Sequence, residues 1–277
     1  MEDIIYLFDV DGVIAETPHE EAWRQAAIEW GGIDSDYDFT AFYAARVAGE
    51  PGLIGAKNIL AELRQSPCDR SLHEKKGGDL GQLAEDFRNA KQVHIDQLIG
   101  QDRFRVFDDV AKIIMECKDD TRMIGAVSSS ENARTILQKI KVDKIAGQIG
   151  FCYPANTSLY DLFDATALGT ITYWKGNPIE KVNHYAMAYG VMLGALGVRD
   201  IPSVVVFEDA PKGITAVNQL GFYSIGISRI STSGKRLASK DDLYKAGADL
   251  VFDEPELAHQ SYCTIDIAVN DLINNKR

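Results

Sequence analysis

Ile4-Ile5-Tyr6-Leu7-Phe8-Asp9-Val10-Asp11-Gly12-Val13 is the stretch on which the fold turns. An apolar run closes in two aspartates and a glycine. A buried strand that ends in paired acids sets them at the carboxyl edge of a sheet, where open α/β folds bind ligands. Asp9 and Asp11 alternate around Val10, so on a straight strand they share a face. Two carboxylates in one site can divide nucleophilic and acid/base work, or hold a cation. The same residues also suit a solvated Asp-x-Asp-Gly turn, and the rest of the chain has to decide between the two.

Further short apolar runs follow at Met123 to Val127, Val204 to Phe207, Phe222 to Ile227 and Leu250 to Phe252. Helical patterns such as Asn132 to Ile140 and Lys212 to Leu220 lie between them. Strands that alternate with helices predict a parallel sheet covered on both faces. The stretch from Thr17 to Phe104 differs, because it holds no convincing strand. Ala22, Trp23, Ala26, Ala27 and Trp30 repeat at helical spacing, as do Leu83, Phe87 and Ala90. Asp79 and Gly100 are start and stop signals for the second of these helices. Ser66-Pro67 and Gly77-Gly78 mark loops. A helical subdomain, 15–104, is therefore expected as an insertion into an α/β core formed by 1–14 and 105–277. Asp108 or Asp109 is a candidate cap for the helix that reopens the core. Residues 142–158, rich in Gly, Pro, Asn and Ser, read as a long loop.

The 277 residues suffice for a sizeable core, and 45% hydrophobic with 25% charged residues is ordinary globular composition. A net charge of −12 argues against nucleic acid or an anionic membrane as partner. It leaves room for a small anionic substrate in a local cationic pocket. No apolar run approaches the roughly 20 residues of a membrane span. Glu2 and Asp3 stand where a secretory signal would be basic, so a cytoplasmic protein is expected. Cys68, Cys117, Cys152 and Cys263 form no C-x-x-C pair and read as reduced thiols, not as a zinc site.

Four places carry chemistry. Asp9 and Asp11 are the first. Ser128-Ser129-Ser130 follows the second apolar run, where a hydroxyl and the N–H groups that lead into a helix can bind a phosphate oxygen, or merely cap that helix. Lys175 lies in Trp174-Lys175-Gly176-Asn177-Pro178. Glu208-Asp209 closes the run Val204-Val205-Val206-Phe207, a second apolar strand that ends in acids. Buried acids call for a cation or another opposing charge. If these places converge, carboxylates for Mg2+ meet a hydroxyl and a lysine for a phosphoryl group, which is what phosphoryl transfer needs.

In this order the motifs resemble those of the haloacid dehalogenase (HAD) superfamily. F-D-V-D-G-V at Phe8 to Val13 is similar to its first motif and V-S-S-S at Val127 to Ser130 to its second. Lys175, with Pro178 and Glu180 near it, resembles the third, although Gly176 stands where a proline is usual. V-F-E-D-A-P-K-G-I at Val206 to Ile214 resembles the fourth, and A-G-A-D-L-V-F-D at Ala246 to Asp253 suits the last strand. The resemblance implies a Rossmann-like parallel sheet with an inserted helical C1 cap. It implies that Asp9 attacks phosphorus to form an aspartyl-phosphate and that Asp11 is the general acid and base. Mg2+ would be held by Asp9, the Asp11 carbonyl and Asp209 with support from Glu208, and the phosphoryl oxygens by Ser128, Ser129 and Lys175.

Within the superfamily, Asp11 speaks for phosphoryl transfer and against dehalogenation. The neighbouring group is the β-phosphoglucomutase-like enzymes, which Thr17, His19, Ala22 and Trp23 resemble. Gly52, however, stands where those mutases carry an arginine for the second phosphate of a bisphosphate. The resemblance therefore implies a phosphatase acting on a small phosphorylated metabolite, a sugar or polyol phosphate, with a phosphosugar mutase as the alternative. His19, Arg46 and Lys57 are the candidate cap residues for specificity. Glu50, Lys75 and Lys76 are further polar positions there.

Overall fold

A computed structural model describes residues 4–31, 33, 37–48, 50, 52–63, 79–169, 173–174, 177–178, 189–190, 192–197, 203–234 and 236–276. The chain divides into two compact units, one of Met1–Glu16 with Arg105–Arg277 and one of Thr17–Phe104.

The first unit is built on a six-stranded sheet. Its strands are β1 (Ile4–Asp9), β4 (Met123–Ser128), β5 (Ala165–Leu168), β8 (Ser203–Glu208), β9 (Tyr223–Ser228) and β10 (Leu250–Asp253). They lie in the order β10-β9-β8-β1-β4-β5, and every neighbouring pair is parallel. Sequence order thus runs outward in both directions from β1, which makes the exits of β1 and β8 the topological switch point of a doubly wound fold. All six residues of β1 are buried. A strand covered on both faces reads as a continuous apolar run, which is why Ile4 to Phe8 shows no alternation. Phe8 and Phe207, opposite each other in the register, stack at 4.6 Å between ring centroids.

Short strands β2 (Ala15–Glu16) and β3 (Arg105–Val106) pair antiparallel where the chain leaves and rejoins this unit. Helix α5 (Asp108–Asp119) follows β3. Neither expected aspartate caps it, since Phe107 holds the cap position. From the first turn, Asp109 Oδ1 accepts the Val110 N–H at 2.7 Å, and the buried Arg229 donates to both of its carboxylate oxygens at 2.7 and 2.8 Å. Half of the expected loop at 142–158 is also helical. After α6 (Ala133–Lys139), α7 covers Val142–Ile149. Its apolar positions Val142, Ile145 and Ala146 repeat at i, i+3 and i+4 and are buried, and this spacing outweighs the glycines nearby. Helices α8 (Pro211–Gln219), α9 (Lys240–Lys245), α10 (Glu254–Ala258) and α11 (Tyr262–Lys276) complete the unit.

Among its described residues the second unit has four helices, α1 (His19–Glu29), α2 (Phe39–Arg46), α3 (Gly52–Leu63) and α4 (Leu80–Gly100), and no strand. Trp23, Trp30 and Phe87 form its aromatic centre, with Phe87 5.5 and 5.0 Å from the two indoles. Asp79 sits at the start of α4 as its spacing predicts, and Gly100 is the last helical residue. Among the described residues no helix is long and apolar enough to cross a membrane.

Candidate active site

The register of the sheet builds the site. Phe8 pairs with Phe207 on one side of β1, and Asp9 pairs with Val127 on the other. Asp9 therefore leaves the sheet beside Glu208 of β8 and one residue short of Ser128 of β4. Asp9, Glu208 and Asp209 offer carboxylate oxygens that all lie within 4.8 Å of one another. Asp9 and Glu208 are buried, and Asp209 is half-buried.

Two glycines make this approach possible. Gly12 adopts φ +94°, a left-handed conformation that side chains rarely take, and a Cβ on it would fall inside the Asp209 carboxylate. Around it the chain turns tightly, with the Gly12 N–H donating to the Ala15 carbonyl and the Ala15 N–H to that of Val10, both at 2.9 Å. Gly213, in the first turn of α8, lies so close to Glu208 that a Cβ would occupy the position of its carboxylate. The two motif glycines are thus the gaps into which the two motif acids fit.

Glu208 is fully buried. Its Oε1 accepts the Ala210 N–H at 3.1 Å and its Oε2 accepts the Tyr189 hydroxyl at 2.9 Å. The start of α8 faces it with the positive end of the helix dipole, which favours the anion. Asp9 has the opposite surroundings. Burial first, then the charges of Glu208, Asp209 and Asp11, push its carboxyl well above the usual aspartate range, against a smaller lowering by the Val10 backbone N–H. Converging oxygen ligands whose mutual repulsion is this strong fit a hard divalent cation. Asp11, half-buried, forms a bridge to Ala15 beside this set.

Ser128 is buried at the end of β4, and its Oγ accepts the Ser130 N–H at 3.1 Å. Ser129 is half-buried. Lys175 lies outside the described residues, as do Gly176, Glu180, Lys75 and Lys76. The residues around it form a two-stranded ladder, β6 (Tyr173–Trp174) with β7 (Asn177–Pro178), in which Trp174 pairs with Asn177.

In the helical unit the three candidates differ. His19, half-buried at the start of α1, has its Nδ1 3.1 Å from the Nζ of Lys91. Lys91 is only 8% exposed and stands over the Trp23 ring. Arg46 and Lys57 are exposed, and Glu50 is half-buried. The space beside Gly52 is taken by Arg88 of α4, whose Nε lies 3.3 Å from the place a Gly52 Cβ would occupy.

Neither Lys91 nor Tyr189 belongs to a sequence motif. Lys91 had a signal, since it falls in the series Leu83, Phe87, Lys91, Ile95, Ile99, a charge on the buried stripe of α4. Tyr189 had none, because an aromatic residue in a helical pattern is ordinarily core.

No family model matches the chain. It is 23% identical over 265 residues to a β-phosphoglucomutase of Bacillus subtilis, which covers 92% of this chain and 94% of that one. The crystal structure of an archaeal β-phosphoglucomutase from Pyrococcus sp. superimposes with a TM-score of 0.66 at 25% identity, over 97% of this chain and 99% of that chain. CbbY from Rhodobacter sphaeroides, solved in complex with xylulose-(1,5)bisphosphate, has a TM-score of 0.59 at 20% identity, over 94% and 96% of the two chains.

Proposed function

We propose that the chain is a member of the haloacid dehalogenase superfamily, in its β-phosphoglucomutase-like subgroup, and that it is a Mg2+-dependent phosphatase of a small phosphorylated metabolite, a sugar or polyol phosphate. One observation carries the reading: Asp9, Glu208 and Asp209 meet at the switch point between β1 and β8. Phosphoryl transfer needs positioning and charge neutralisation more than covalent machinery.

In this mechanism an oxygen of Asp9 attacks phosphorus, and the bond from phosphorus to the leaving oxygen breaks. Asp11 gives that oxygen its proton. It then takes one from water, which attacks the phosphorus of the aspartyl-phosphate, frees inorganic phosphate and restores Asp9. Ser128, Ser129 and Lys175 hold the phosphoryl oxygens. Asp9, the Asp11 carbonyl and Asp209, supported by Glu208, would hold Mg2+, which supplies charge neutralisation when bound. His19, Arg46 and Lys57 are proposed to select the substrate. The test is phosphate release across a panel of sugar phosphates, nucleotides and phospho-acids, with Mg2+ and with chelator. Release that persists unchanged in chelator, or its absence across the panel, overturns the reading.

A second reading, a phosphosugar mutase, is favoured by Arg88. The resemblance places an arginine at position 52 in the mutases, and here a guanidinium from α4 lies against Gly52. Isomerised sugar phosphate without net phosphate release would select this reading.

A further inference from the structure

We infer that Tyr189 is a positioning residue of the acid site, whose hydroxyl fixes the Glu208 carboxylate and so sets the selectivity of the site for Mg2+. The inference rests on the Mg2+ reading above. Tyr189 is fully buried in an apolar cluster with Leu7, Met192, Val206 and Val217. A phenol in such surroundings is stable only when its hydroxyl finds a partner, and this one donates to Glu208 Oε2 at 2.9 Å. Glu208 is itself fully buried, between the Ala210 N–H on its other oxygen and the Cα of Gly213 against its carboxylate. Phenol, amide and glycine together leave the side chain one orientation.

That orientation bears on the cation because Glu208 shares its 4.8 Å cluster with Asp9 and Asp209. Mg2+ demands short bonds in near-ideal octahedral geometry, whereas Ca2+ accepts longer and irregular ones. A carboxylate loosened by loss of one donor therefore harms Mg2+ binding more than Ca2+ binding. Partners that orient metal-site ligands commonly change affinity by about 10- to 100-fold when removed. Tyr189 acts through Glu208 and is not a catalytic residue.

The experiment is calorimetric titration of the full chain with Mg2+ and, separately, Ca2+, alongside metal-free thermal unfolding. Tyr189→Phe keeps the ring and removes the hydroxyl. It should weaken Mg2+ binding about tenfold and Ca2+ binding less than about threefold. Gly213→Ala, which displaces the same carboxylate from the other side, should shift the ratio of the two affinities in the same direction. In a Glu208→Gln background, Tyr189→Phe should have no further effect on Mg2+ affinity. Mg2+ affinity unchanged in Tyr189→Phe overturns the inference while the proposed function stands. Equal losses for both cations, with a lower metal-free Tm, assign Tyr189 to packing alone and overturn it too. A wild-type protein that binds no Mg2+ removes the reading beneath it, and with it the inference.

Discussion

The sheet edge and the helical unit place their chemistry by different rules. At the sheet edge, strand order and register do the placing. Parallel pairing puts Phe8 beside Phe207, so the acids that follow them emerge together. Any sequence that keeps the two apolar strands keeps Asp9 next to Glu208. In the helical unit the buried stripe fixes the packing, as with Trp23 against Phe87, but says little about the polar residues. His19 touches a buried lysine, while Arg46 and Lys57 point to solvent. Position at a strand end carries functional meaning, and position on a helix carries much less until its neighbours are known.

Asp9→Asn removes the carboxylate at the centre of the sheet-edge cluster. If strand-end placement means function, phosphate release from p-nitrophenyl phosphate with Mg2+ falls by about 10^4-fold or more, the scale seen when a nucleophile is removed. Stability moves the other way. The carboxyl of Asp9 titrates higher in the folded chain than in the unfolded one, so protonation favours the fold. In metal-free wild type this one contribution is present in full below the usual aspartate range and is lost as pH rises through the raised value. Asp9→Asn should lack this loss and be the more stable protein at neutral pH in chelator, as denaturant unfolding at several pH values would reveal. Turnover at the wild-type rate would remove Asp9 from the role of nucleophile.

Gly12→Ala tests whether the glycine gap is as necessary as the acids. Alanine at φ +94° is strained by about 1–3 kcal/mol, and its Cβ would displace Asp209. A displacement of roughly an ångström in such a site costs about 100-fold in rate. Activity should therefore fall by about that factor, with a modest drop in Tm. Unaltered kinetics would show that the position of Asp209 is of no consequence.

The same contrast explains what could be read from the chain. β1, β4, β8, β9 and β10 are apolar runs bounded by polar residues and are legible as such. β5, Ala165 to Leu168, is not, because its small and partly exposed residues form no run. α7 was hidden by the Gly, Asn and Pro that follow it, although its own spacing is helical. Asp9, Glu208 and Asp209 are legible because their places follow from strand ends. Tyr189 is invisible from sequence, because its role comes from a hydroxyl meeting a residue 19 positions away in the chain.

Lys91 is where the helical unit can be made to answer. A lysine 8% exposed on an otherwise apolar stripe bears a desolvation cost that a hydrophobic residue of similar volume does not. If its ammonium serves only the fold, through its contacts with His19 and Trp23, Lys91→Met should leave kcat/KM unchanged. If it orients His19 for substrate, the methionine variant keeps its stability within about 1 kcal/mol, since burying an apolar chain offsets the lost polar contact. Its kcat/KM then falls about tenfold, the worth of one charge-assisted hydrogen bond of roughly 1.5 kcal/mol. Arg103→Ala provides the reference, because an exposed arginine away from any special feature changes stability by about 0.5 kcal/mol or less. Steady-state kinetics and urea unfolding of the two variants side by side decide the point. A Lys91→Met protein that is fully active would mean that the lysine belongs to the packing of the helices and that the residues choosing the substrate lie elsewhere in this unit.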